Sequence, residues 1–160
     1  MKQIVSRIAL AALVLATAVP SFAATEDTMI LRGKVAQILE VDLQPTAIAS
    51  NLDLTQSADS LDVAKVFERS NDPDGYVITF RSENEGVLKG SQPSNEDVMP
   101  YSLNYAGEGN FSLSSGPKEF SHAGRTGVEG VVRSLSVSYP EKWLAADTYE
   151  DTVTVTIAAL

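Results

Sequence analysis

Residues 24–43 read ATEDTMILRGKVAQILEVDL, and within them Met29, Leu31, Gly33 and Val35 alternate with Ile30, Arg32 and Lys34. That is the period of two a strand imposes, because successive side chains leave opposite faces of the pleat. No turn residue interrupts the run from Ala36 to Leu43, so the stretch predicts one long opening strand. A strand of that length at the head of a small domain either closes the edge of its own sheet or reaches into another molecule. Fold and function both turn on which.

The far end of the chain mirrors it. Tyr149, Val153, Val155, Ile157 and Ala159 share one face of the closing run while Thr152, Thr154 and Thr156 share the other, the mark of a half-buried strand with a hydroxyl-lined outer side. Between the two ends, short strand-like runs recur with turn chemistry between them. Pro45 ends the opening run, Asn51–Thr55 alternates weakly, and polar Gln56–Ser60 predicts a turn. Leu61, Val63, Val66 and Phe67 lead into Ser70-Asn71-Asp72-Pro73-Asp74-Gly75, nearly every residue of which favours a turn. Tyr76–Arg81, YVITFR, is rich in β-branched and aromatic residues and predicts the second arm of a hairpin. Ser82–Asp97 reads as a polar loop in which only Val87-Leu88 suits a short strand. Met99–Tyr105 alternates again, Ala106–Asn110 predicts a turn, Phe111–Ser114 a brief strand and Gly116–Gly127 a loop. Val128–Tyr139 predicts a strand stopped by Pro140, with Gly130 inside it and Val132 off the alternation; Pro140–Asp147 predicts a turn, with Trp143 as a plug at one end of the domain. Short strands with turns between them predict an all-β, immunoglobulin-like β-sandwich.

Ahead of the opening strand, Lys2 and Arg7 flank an apolar run, Ile8–Val19, and Pro20-Ser21-Phe22-Ala23 places small residues where a signal peptidase reads them. Residues 1–23 therefore read as a secretory signal cleaved between Ala23 and Ala24, too short in its apolar part to span a bilayer. Removing Lys2 and Arg7 from the 12 basic residues leaves 10 against 21 acidic ones, a net charge near −11. That balance argues against nucleic acid and anionic membrane as partners. The chain has no cysteine, so an exported domain of this kind must be held by packing and sheet hydrogen bonds.

Catalytic chemistry is hard to find. His122 is the only histidine and reads as a solvated loop residue, with no cysteine beside it for a metal and no serine relay assembled around it. Asp72-Pro73-Asp74-Gly75 resembles the middle of a calcium loop, yet Arg81 stands where the bidentate Glu is required. Glu83, Glu85, Glu96 and Asp97 lack the aromatic neighbours of a glycosidase cleft. No fingerprint for a nucleotide, flavin or other cofactor occurs, and neither an enzyme nor a cofactor is expected.

Three stretches carry a family resemblance. Met29-Ile30-Leu31-Arg32-Gly33-Lys34-Val35 with Ile38-Leu39-Glu40-Val41-Asp42-Leu43, then Met99-Pro100-Tyr101-Ser102-Leu103-Asn104-Tyr105, then Asp147-Thr148-Tyr149-Glu150-Asp151-Thr152-Val153-Thr154-Val155-Thr156-Ile157 resemble the start, middle strand and ending of pilus subunits of the chaperone–usher class. They are closest to the cysteine-free subunits of the alternative, or α-type, fimbriae. The ending also resembles spore-coat-U-like secreted proteins. Asp147 departs from the family's usual Gly.

The resemblance implies a sandwich lacking its last strand and a layout of signal (1–23), N-terminal donor strand (24–35) and one pilin-like domain (36–160). It implies that Met29, Leu31, Gly33 and Val35 enter a neighbour's groove, one wall of which is Val153, Val155 and Ile157, by strand addition. Gly33 would then sit where the groove is shallow. The implied partners are copies of the chain or related subunits, a periplasmic chaperone and an outer-membrane usher, and the implied destination is the periplasm and then the cell surface. The alternative is a secreted, self-complete sandwich that binds a protein or carbohydrate as a monomer, with Met29–Val35 paired in its own sheet, or a spore-coat-U-like secreted protein.

Overall fold

A computed structural model describes residues 25–160. The expected signal sequence, with its expected cleavage point between Ala23 and Ala24, lies outside the described residues. The chain divides after Lys34. In the first unit, residues 25–34 form neither helix nor strand and are exposed. The second unit holds eleven strands: β1 (Leu39–Pro45), β2 (Ala58–Ser70), β3 (Gly75–Ser82), β4 (Val87–Gly90), β5 (Val98–Pro100), β6 (Ser102–Tyr105), β7 (Asn110–Phe111), β8 (Lys118–Ala123), β9 (Val131–Tyr139), β10 (Tyr149–Glu150) and β11 (Val153–Ala159).

All pairings are antiparallel. One sheet runs β1-β2-β9-β6-β7, a second β11-β3-β8, and a small third β10-β4-β5. The first two pack face to face. On β2, Ala64, Val66, Glu68 and Ser70 are buried while their neighbours face outward, and on β3 Tyr76, Ile78 and Phe80 do the same from the other side. Phe80 is the hub. Its ring lies 5.1 Å from Tyr105, 5.7 Å from Phe111 and 5.9 Å from Phe120, joining β3 to β6, β7 and β8. Such tilted and edge-on pairs favour the aromatic quadrupole as well as burying area. The molecule is therefore an all-β sandwich.

Several elements differ from the sequence expectation. The opening strand does not run from Met29; it begins at Leu39, because a strand exists only where a neighbour supplies ladder bonds, and β2 supplies them from Ser70 backward. β2 and β3 are not a hairpin: β2 pairs with β1 and β9, β3 with β8 and β11, and the turn between them carries the chain from one sheet to the other. Gly75 makes that crossing with φ 116°, and a Cβ there would lie 2.3 Å from the His122 carbonyl oxygen.

The weak alternation at Asn51–Thr55 yields no strand, although Leu52 and Leu54 pack on the core. Met99–Tyr105 is two strands in different sheets with Tyr101 at the break, and Phe111–Ser114 is shortened to β7. β9 starts only after Gly130, whose φ is 73° and whose missing Cβ leaves room for the Phe67 ring. The loop expected at Gly116–Gly127 contains β8, so His122 is a strand residue with only 13% of its side chain exposed. Trp143 plugs nothing; it is 97% exposed.

Phe80→Ala is expected to cost about 3–5 kcal/mol, the usual range for emptying a buried aromatic site. A urea-unfolding free energy lowered by that amount without loss of the native β signature checks it; a change under about 1 kcal/mol would remove Phe80 from the centre of the core.

Candidate functional site

β1 ends the first sheet and β11 ends the second, and among the described residues no strand pairs with the outer edge of either. At one end of the sandwich Asn71 N donates to Ile38 O (3.2 Å) and Leu160 N to Gly75 O (3.2 Å), which puts the start of β1 and the end of β11 beside the same turn. At the other end Leu43 and Val153 line one cavity. The two edges thus run in opposite directions along a shared groove.

The groove is apolar. Leu39, Val41 and Leu43 from β1, and Val153, Val155 and Ile157 from β11, all touch the core yet remain half-buried, whereas their ladder partners Ser70, Glu68, Val66, Phe80 and Ile78 are sealed. Their neighbours Glu40, Asp42, Thr154 and Thr156 face solvent. The groove deepens into a cavity of about 260 Å³ walled by Leu43, Leu52, Val63, Leu88, Leu103 and Val153. One ordered water needs only about 10–15 Å³, so the space is roomy; its walls are mainly apolar, with Tyr101 and Asp151 as the phenolic and charged side chains among them.

Asp151 stands at this end and fixes it. Its carboxylate accepts from Ser82 Oγ (2.5 Å), Tyr101 Oη (2.5 Å) and Asn84 N (2.9 Å), tying the entry of β11 to β3 and to the break between β5 and β6. Burial first, then the Asp151 carboxylate, push the Tyr101 phenol far above its ordinary value, so it stays a donor. Asp147 pins the approach to β10 in a similar way. It accepts from Ser91 Oγ (2.6 Å), Asn95 Nδ2 (2.8 Å) and Gln92 N (3.0 Å), and these bonds, Ser91 foremost, hold its carboxyl well below the usual range.

The acceptor-wall residues named from the sequence, Val153, Val155 and Ile157, are brought together on β11 beside the groove. The residues expected from the sequence to act as a donor, Met29, Leu31 and Val35, are 79%, 84% and 84% exposed, and Gly33 has nothing within 4 Å of an added Cβ. Sequence reasoning missed the opposite wall, although Leu39, Val41 and Leu43 alternate plainly in LEVDL.

A second cluster, entirely polar at its centre, was also missed. Glu68 is fully buried; its carboxylate accepts from Tyr76 Oη (2.9 Å), Tyr105 Oη and Arg133 Nε (3.2 Å), and His122 Nε2 lies 4.0 Å away. Every buried side-chain polar atom among the described residues finds a partner. Burial, then the Glu68 carboxylate, push the Tyr105 phenol far up, and burial, then the Arg133 guanidinium, hold the His122 imidazole below its ordinary value. Buried charge of this kind persists only when its lone pairs are satisfied.

Among the described residues no group of three or more His, Asp or Glu side chains is placed to hold a metal, and no helix is long and apolar enough to cross a membrane. No family model matches the chain, and no curated protein matches it.

The His122 environment makes stability depend on pH in a defined direction. Its folded value is depressed, so its contribution is fully present above about pH 6.5, where the unfolded imidazole is also neutral. It is lost as the pH falls below that, because the unfolded chain takes up a proton the folded one resists. Urea midpoints measured downward from pH 7.5 should fall below pH 6.5, and His122→Phe should flatten that part of the curve. An unchanged slope in the variant would remove His122 as its source.

Proposed function

We propose that this chain is a structural subunit that polymerises by strand donation, residues 29–35 of one copy filling the groove between β1 and β11 of the next. The observation that carries the reading is that groove, in which two opposed free edges carry six half-buried apolar side chains, with Leu43 and Val153 at one end opening on a cavity. An immunoglobulin-type sandwich places strands A, B, E and D in one sheet and C, F and G in the other. On that plan we read β1-β2-β9-β6 as A, B, E and D and β3 with β11 as C and F; β8 is an addition beyond β3, and no described strand stands on the free side of β11. The chain also carries an alternating apolar segment, Met29 to Val35, whose large side chains are exposed.

The energies support a durable joint. Burying Met29, Leu31 and Val35 is worth about 1.5–3 kcal/mol for each side chain. Each new ladder bond adds about 0.5–1.5 kcal/mol, and the half-exposed walls of the groove lose their remaining contact with water in the same step. Left open, such edges invite indiscriminate pairing, which favours a capping chaperone in the periplasm before assembly, an usher for export and a final place in a surface fibre. The second reading, a secreted monomer that binds protein or carbohydrate, draws support from Trp143, an indole held out into solvent where a ligand ring could stack.

Electrophoresis of the exported chain, unheated against boiled, tests the first reading. A ladder of multimers that collapses on boiling is expected. Leu31→Asp and Val155→Asp should each abolish it, one by placing a charge on the donor and the other by placing a charge in the groove. Mixing the two variants should restore a two-copy species, since each retains what the other lacks. A single monomer band from folded protein under every condition would sink the polymer reading and promote the monomeric one, in which Trp143→Ala loses the ligand.

A further inference from the structure

The groove can in principle be filled from two sources of identical chemistry, the segment 29–35 of a second copy or that of the same chain, and residues 36–38 bear on the choice. A segment folding back on β1 must set Met29, Leu31 and Val35 on the face that carries Leu39, Val41 and Leu43, because directly opposed residues of an antiparallel pair share a face. Pairing Val35 with Leu39 achieves this. Gly33 then opposes Val41, Leu31 opposes Leu43, and residues 36–38 form the loop. A slip of one residue turns Lys34 and Arg32 inward instead. A slip of two sets Gly33 opposite Leu39 and makes 34–38 the loop. An earlier bend at Gly33-Lys34 leaves Leu31 opposite Ala36 and Met29 opposite Ile38, short of Leu39 where the groove begins. Every return that fills the groove therefore bends the backbone at 36–38.

Those three residues are held straight. Leu39 pairs with Ser70 at the last rung of the β1–β2 ladder, and Asn71 continues the ladder with its side chain in place of a peptide. Its Oδ1 accepts from Ile38 N (2.7 Å), its Nδ2 donates to Ala36 O (2.7 Å), and its own N donates to Ile38 O (3.2 Å). Gln37 Nε2 donates to Asp72 Oδ2 (2.9 Å) alongside. A reverse turn at 36–38 needs these same backbone groups for its own closure, or leaves them to water.

Resting on the polymer reading, we propose that Asn71 is a positioning residue that bars the chain's own donor segment from its groove and so reserves the groove for a second copy. A segment arriving from another copy requires no bend at 36–38; its own Asn71 remains engaged while it inserts. The restraint matters because a tethered segment acts at an effective concentration on the order of millimolar. Without it, closure within one chain would outrun pairing between chains at micromolar protein.

The test is refolding of the full chain over a concentration series, with mass read by light scattering. The wild-type chain should form multimers in a share that grows with concentration. Asn71→Ala, which removes both side-chain bonds, should raise the share of closed monomer by about tenfold or more and make it insensitive to dilution. A second variant leaves Asn71 in place and inserts a Gly/Ser linker of about twelve residues between Val35 and Ala36, long enough to return without bending 36–38. It too should close as a monomer, and Leu31→Asp added to it should abolish that closure. Multimers from Asn71→Ala equal to wild type, or from the linker variant equal to wild type, overturn the role of Asn71 while leaving the polymer reading intact. A wild-type chain that stays monomeric at every concentration, unaffected by Leu31→Asp, overturns the polymer reading itself.

Discussion

Phe80 and the rings around it are the contact on which the rest of the sandwich depends. The chain has no disulfide to hold its sheets together, so they stay together only if apolar surface is removed from water between them. Phe80, Tyr105, Phe111 and Phe120 bring side chains from both sheets into one cluster. With that cluster formed, β3 and β6 have fixed positions, and β11 and β9 follow from their ladders. The two edges that face each other across the groove are then set by what has already packed.

The same packing explains why Glu68 is tolerated. It stands in line with Ala64 and Val66 on the inward face of β2, where a Leu or Val would ordinarily be expected. Tyr76, Tyr105, Arg133 and the nearby His122 come from β3, β6, β9 and β8, so the carboxylate ties together four strands from both sheets. An apolar residue packs acceptably in many sheet arrangements, but this set of donors meets Glu68 only in one.

The groove is the complement of that core. Residues inside a sheet are covered by neighbours on both sides, while those on β1 and β11 are covered on one, which is why Val155 is half-buried and Phe80 is sealed although they are direct partners across the ladder. Asp151 and Tyr101 hold the deep end of the groove in shape without filling it. At the shallow end Asn71 keeps the first strand running straight into the groove's margin. The site is thus tied by side-chain hydrogen bonds at both ends and opens into a cavity at the Leu43–Val153 end.

Alternation in LEVDL and VTVTI, and the β-branched YVITFR, determined by themselves that these runs are strands and which face of each turns inward, because a strand's periodicity is local. Turn residues likewise announced the break after Ser70. The pattern did not reveal that this break leads to the opposite sheet, because a turn sequence sets a local bend and says nothing of which ladder the next strand joins. β8 was hidden for a related reason: KEFSHA has one apolar residue facing in, and His122 becomes an inward residue only once Tyr76 and Tyr105 are there to receive it. In the same way Ile30 and Leu31 are as strand-like as Val155, yet form no strand where no partner edge meets them. Which segments carry β pattern was written in the sequence. Which of them find a neighbour, and which two edges are left without one, only tertiary structure decided, because hydrogen-bond partners in a sheet are supplied by residues distant along the chain.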